Sequence, residues 1–97
     1  MKALQKMQVE MARVQEELAH DTVEASVGGG SVKVVMTGDL KVRSLSIDAA
    51  LIDPDDKAML EDMIGAAMNE ALRMAQDLAN AKMAKVTSAM GLPPGLL

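Results

Sequence analysis

The spacing between apolar residues changes period twice along this chain, and those two changes restrict the fold more than any other feature. Leu4, Met7, Met11, Val14 and Leu18 fall three and four residues apart. That spacing draws a narrow apolar stripe along one face of a helix, the kind that packs on another helix. The intervening Gln, Lys, Glu and Arg residues are good helix formers, so residues 1–20 are expected to be helical. From Val23 the period drops to two. Val23, Ala25 and Val27 share one side of an extended segment, and Val32, Val34 and Met36 share one side of the next. Gly28-Gly29-Gly30 lies between them with a length suited to a hairpin loop. Gly38-Asp39 makes a second turn, with Gly first as a type II′ turn needs. In the third run, Leu40 and Val42 are followed by Leu45 and Ile47, and this slip of parity predicts a bulge near Arg43-Ser44.

The helical period then returns. Asp53-Pro54-Asp55-Asp56 reads as a helix start: an N-cap Asp, Pro at the first helical position, and acids facing the positive end of the helix dipole. Apolar and Ala positions continue to Met90, where Gly91 and Pro93-Pro94 stop the helix. One face carries Ile64, Ala67, Ala71, Met74 and Leu78, and a second carries Met68, Leu72, Ala75 and Ala79. Two apolar faces require two neighbours. At ~1.5 Å per residue such a helix reaches roughly 50 Å, more than one small sheet covers. The expected fold class is α+β in a single domain over residues 1–97: an N-terminal helix (1–20), a three-stranded antiparallel meander (21–48), a long C-terminal helix (54–90) and a short tail (91–97). One helix enters the sheet and the other leaves it, so side by side they run antiparallel.

A core of this size is only marginally self-sufficient, and disulfides, metals or partner chains are the usual supports. The 97 residues include no Cys and no aromatic residue, and ten are Met. Disulfides and thiolate metal sites are therefore excluded, and nothing hints at secretion. Self-association is the expected support. No apolar stretch approaches the ~18 residues of a membrane span, and no signal-peptide pattern opens the chain; a cytoplasmic protein is expected.

The charge is segregated. Residues 1–9 hold Lys2 and Lys6 and no acid; residues 78–97 hold Lys82 and Lys85 and no acid. Residues 10–77 hold the other six bases and all fourteen acids, so −8 in the middle and +4 at the ends give the net −4. Antiparallel helices bring those two basic ends to the same end of the molecule. Two lysines near a helix C-terminus suit its dipole, but two at a helix N-terminus oppose it. Charge alone therefore leaves two readings open for the four lysines, ordinary solvated side chains or partners of a bound anion.

Enzymatic and metal chemistry find little to build on. GGGS lacks the GxxxxGK[ST] arrangement of a phosphate cradle and leads into a strand, so it reads as a hairpin turn. DPDD lacks the ligand alternation and central Gly of a calcium loop, and helix capping accounts for it. His20 is the lone histidine, and with no Cys or second His it reads as a helix-end residue. No cofactor is implied. The absence of aromatics removes any platform for stacked bases, which argues against a reader of single strands or RNA loops.

The helix LQKMQVEMARVQEELA, the stretch GGGSVKVVMTGDLKVRSLSID, the segment LIDPDDKAMLEDMIGAAMNEAL and the closing GLPPGLL together resemble the YbaB/EbfC family of bacterial nucleoid-associated proteins. The resemblance runs over nearly the whole chain. It implies a tweezer-like homodimer whose sheets join centrally while paired helices project as prongs onto double-stranded DNA. It also implies location in the cytoplasmic nucleoid, a part in nucleoid organisation or gene regulation, and association with recombination or replication proteins. By position and charge, the family's DNA-binding regions map here to Lys2, Lys6 and Arg13 on the first helix and Arg73, Lys82 and Lys85 on the last. Family members usually carry a short leader before the first helix. Here Met1 falls almost inside it, so the last helix is expected to overhang the first.

The expectation is a non-enzymatic dimer binding duplex DNA with little sequence preference, through lysines that displace counterions. A helical dimer docking a protein on its Met- and Ala-rich faces is the alternative. A competing basic set, Lys33, Lys41 and Arg43, lies on the strands but has Glu24 and Asp39 nearby. Reversing Lys82 and Lys85 together is expected to abolish binding, and reversing Lys33 and Lys41 to weaken it only at long range.

Overall fold

The computed structural model describes residues 2–89. The chain runs through helix α1 (Lys2–His20), strands β1 (Thr22–Val27), β2 (Val32–Thr37) and β3 (Val42–Ile47), and helix α2 (Lys57–Ala89). The strands form one antiparallel sheet in the order β1-β2-β3. The helix–meander–helix order follows the two changes of apolar period. The expected stop at Met90 and the tail 91–97 lie outside the described residues.

The hairpins differ in how they use glycine. Between β1 and β2, Gly28, Gly29 and Gly30 all have positive φ, at 62°, 69° and 94°. Val27 pairs with Val32 across this turn, and L-residues with side chains would strain it. Between β2 and β3 the expected type II′ turn is not formed. Gly38 is not among the positive-φ glycines, and Leu40 takes the left-handed conformation at φ 69°. The Leu40 amide donates to the Thr37 carbonyl over 3.0 Å, and the Thr37 amide to the Lys41 carbonyl over 2.8 Å. Gly38 serves space instead of φ: a Cβ there would lie 2.6 Å from Leu18 Cδ2 and 3.1 Å from the Leu18 carbonyl oxygen. The end of α1 thus rests directly on this turn, and the Gly38 amide donates to the Asp21 carbonyl at 2.9 Å. The bulge falls where the parity slip put it, since Val35 pairs with Ser44 and Met36 with Val42, leaving Arg43 unpaired.

Asp53 caps the entry to α2 by accepting from the Asp55 amide at 2.9 Å, with Pro54 opening a short 3-10 turn that runs into the helix. Ala67, Ala71 and Ala75 are fully buried against Ala25, Val32, Val34 and Met36. Small side chains spaced four apart let the helix axis approach the sheet, and the valines of β2 fill the gap. α2 lies over β1 and β2. No β3 residue enters this core; Val42 and Leu45 keep 46% and 45% exposure. Farther along α2 a second, smaller cluster joins Val86 to Val14 and Leu18 of α1, flanked by Leu78, Ala79 and Met83. The molecule is consequently elongated, 62 × 23 × 17 Å, with a sheet end and a two-helix end.

Candidate nucleic-acid interface

At the two-helix end α1 and α2 are antiparallel, Val14 and Leu18 meeting the stretch from Leu78 to Val86. Between the helices runs an open groove of about 460 Å³ over a floor of Val14, Val86 and Ala89, lined by Lys6, Glu10, Arg13, Glu17, Lys82 and Lys85. Four cations against two carboxylates leave its walls net positive. Lys6 and Lys85, from opposite ends of the sequence, share this groove, so the two basic ends do meet.

The six basic residues picked out from sequence divide into two groups. Lys2, Lys6 and Lys85 have no carboxylate within ion-pair distance among the described residues. The other three are engaged. Arg13 donates through Nη2 to Glu10 at 2.7 Å and through Nη1 to Glu17. Arg73 donates to Glu70 through Nε at 3.1 Å and to Asp77 through Nη1 at 2.9 Å. Both guanidiniums are held above their ordinary range, Arg13 chiefly by the Glu10 hydrogen bond and Arg73 by the Glu70 one. Lys82 donates to Glu17 Oε2 at 2.9 Å and also pairs with Asp21.

These pairings correct one expectation. The ends are free of acid in sequence, yet folding brings Glu17 and Asp21 of the first third of the chain against Lys82. The cause is the antiparallel register, which sets the C-terminal turn of α1 beside the middle of the prong section of α2. Asp21 raises the Lys82 ammonium, with Glu17 adding to the effect, and the hydrogen bond from Lys82 holds the Glu17 carboxyl below its usual range. A 65-residue separation hides this contact from any local pattern. Only the register of two predicted stripes could have exposed it.

The strand set is arranged differently. Lys33 pairs with Ser46 on the sheet face away from α2, and Arg43 sits in the bulge. Lys41 is 3.9 Å from Asp39. No described helix is long and apolar enough to cross a membrane, and the described residues contain no cluster of three or more Asp, Glu or His side chains placed to hold a metal.

The chain is thus an α–βββ–α unit with a long second helix, a sheet at one end and a lysine-rimmed helical groove at the other. Residues 1–90 match the YbaB/EbfC DNA-binding family, and the chain belongs to that family. It is 46% identical to a nucleoid-associated protein of Ruminiclostridium cellulolyticum over 99% of this chain and 84% of the relative. It is 52% identical to a nucleoid-associated protein of Acetivibrio thermocellus over 98% of this chain and 84% of the relative. The crystal structure of an uncharacterized protein of Helicobacter pylori superposes with a TM-score of 0.73 at 23% identity, covering 89% of this chain and 88% of that one. That likeness concerns the fold.

Proposed function

We propose that this protein is a non-enzymatic, homodimeric nucleoid protein that binds double-stranded DNA with little sequence preference through its projecting helices. The observation that carries the reading is the trio of unpaired lysines, Lys2, Lys6 and Lys85, at one end of an otherwise acidic chain. Family membership and the names of the relatives support DNA as the partner. Phosphate is the chemistry that suits such lysines, because each contact releases condensed counterions and reads no base. Arg13 and Arg73 reach phosphate only by leaving their own carboxylates, so they contribute less. Roles in nucleoid organisation and gene regulation, and association with recombination or replication proteins, follow from this reading as proposals, as does a place in the cytoplasmic nucleoid.

The dimer is argued from β3. This edge strand has an unpaired side, and its apolar residues Val42 and Leu45 have no helix of their own chain above them. Leu40, Ile52, Met59 and Leu72 are exposed as well. A second copy supplies both a strand edge and a helix face of matching chemistry, which an isolated three-stranded sheet lacks. Light scattering should give a dimer at micromolar concentration, and a folded monomer would refute this part.

Duplex binding is tested across a salt series. If all three lysines of both protomers meet phosphates, log K falls against log salt with a slope of about −5. A nearly flat response would remove the electrostatic basis of the proposal. A second reading, docking of a protein on the prong, is favoured by the exposure of Leu4, Val9 and Met11 on α1. It predicts that Leu4→Ser with Val9→Ser loses a partner while duplex affinity stays unchanged.

A further inference from the structure

We infer that Lys82 positions the DNA-binding prong and does not itself touch DNA, so that Lys2, Lys6 and Lys85 make the contacts; this rests on the duplex-binding reading above. Lys82 differs from the other lysines in three observable ways. Its side chain keeps 23% exposure, where Lys41 and Lys57 keep 80% and 82%. Two of the three ammonium protons face carboxylates, Glu17 Oε2 at 2.9 Å and Asp21. It is also, among the described residues, the side chain that ties α2 to α1 and its exit by hydrogen bond and ion pair.

The network around it explains why tying matters more than contact. Glu10, Arg13, Glu17, Lys82 and Asp21 form one continuous string. Three carboxylates against two cations make it net negative, so an approaching phosphate is repelled by the string and attracted to Lys6 and Lys85 beside it. Under the string, among the described residues, Val14, Leu18 and Val86 form the buried cluster, with Leu78, Ala79 and Met83 partly buried against it. Such a seam, smaller than the core at the sheet, holds the helices together without direction, and the Lys82 clamp adds the directional tie that fixes the angle between α1 and α2 and hence the spacing of Lys6 from Lys85. Two cations on different helices bind a phosphate track well only if that spacing is fixed beforehand.

The test compares Lys82→Met, Lys82→Arg and Lys85→Met in the full chain, titrating a mixed-sequence duplex over a salt series, with α1 hydrogen exchange followed in the absence of DNA. Lys82→Met should remain a dimer, exchange faster in α1, and bind about tenfold more weakly, an ordinary size for coupling between separate sites. Its salt slope should equal that of the wild type, and Lys82→Arg should restore affinity and exchange. Lys85→Met should reduce the slope by about 2, one phosphate per protomer. A slope lowered to the same degree by Lys82→Met would make Lys82 a phosphate contact and overturn the inference. Faster α1 exchange with unchanged affinity would overturn it too, reducing the clamp to a stabilising contact. Should Lys82→Met fail to fold, Asp21→Asn decides. Weaker binding at constant slope is expected, whereas tighter binding with a steeper slope would mean that the acids had been withholding Lys82 from DNA. A wild type that ignores duplex DNA refutes the function itself, a result distinct from any of these.

Discussion

At the sheet end, Ala25, Val32, Val34, Met36, Ala67, Ala71 and Ala75 are buried together and no charge lies among them. At the helical end the buried cluster among the described residues is Val14, Leu18 and Val86, flanked by the half-buried Leu78, Ala79 and Met83, and a string of charged side chains lies over it. Both ends are built on the same helix, α2. The sheet end draws its stability from apolar area removed from water, a term that salt does not screen. The helical end combines a thin seam with exposed and half-buried ion pairs, each worth little in water and screened by salt. Apolar packing and charge pairing are thus separated along one helix. The half built on the sheet is apolar, and the half proposed to meet a polyanion is held by charges of the kind it would bind through.

The comparison is most severely tested at the proposed dimer contact. Leu45→Glu places a carboxylate in each protomer where apolar surfaces are proposed to meet. Self-association should weaken by about 3 kcal/mol or more, as expected for burying a charge without a partner. Sedimentation equilibrium checks this, and an unchanged dimer would move the contact away from β3. Next in size is a pair of cavity variants. Met36→Ala at the sheet end should cost about 2–5 kcal/mol of global stability in denaturant unfolding. Leu18→Ala should instead release α1 amides to exchange while sheet amides hold. If both variants lower every amide equally, the two ends are a single cooperative unit.

A smaller effect comes with acid. The Glu17 carboxyl is held below its ordinary value of 4.5, chiefly by the hydrogen bond from Lys82. A depressed carboxyl stabilises the fold above its unfolded value and loses that contribution as pH falls through the folded one. Lys82 is raised above 10.5 by Asp21 and Glu17, so its share is complete below 10.5 and lost as pH rises through the folded value. The α1–α2 contact should therefore hold steady through neutral pH and loosen below about 4.5. The Leu18 methyl signals, followed by NMR, should shift in that window before those of Val34. Smallest is Leu40→Gly. A non-glycine residue at φ 69° carries a cost of about 1 kcal/mol, so the glycine should stabilise the protomer by about that much. Because Leu40 is exposed and apolar, the same change should weaken the dimer. Stabilisation with an unaltered dimer would leave the strained leucine without a role.

Much of the sheet end was legible in the sequence because its determinants are local. A period of two, a parity slip at Arg43 and an Asp-Pro pair at the start of α2 each speak for their own few residues. Gly38 was misread because glycine serves two purposes, permitting positive φ and permitting close approach, and only the position of Leu18 tells them apart. The helical end was legible in outline alone. The stripe from Leu4 to Leu18 foretold a partner helix, and the acid-free ends foretold a shared basic tip. Neither could say that Glu17 and Asp21 would reach Lys82, since that depends on the register of two helices far apart in the chain. The division of the six basic residues into paired and unpaired sets is likewise a property of rotamers and register.

The 33 residues of α2 run without a break from the sheet to the groove, which at ~1.5 Å per residue makes an arm of about 50 Å. Its buried root, at Ala67 to Ala75, is a fulcrum a little short of halfway along. A lever of these proportions magnifies: a small rocking of the helix on the sheet sweeps its lysine-bearing tip through a several-fold larger arc. The stripe of alanines is thereby a setting for reach. In the proposed dimer, the bulk at Ala71 would set how far apart two such tips stand, and hence the width of duplex that they could span.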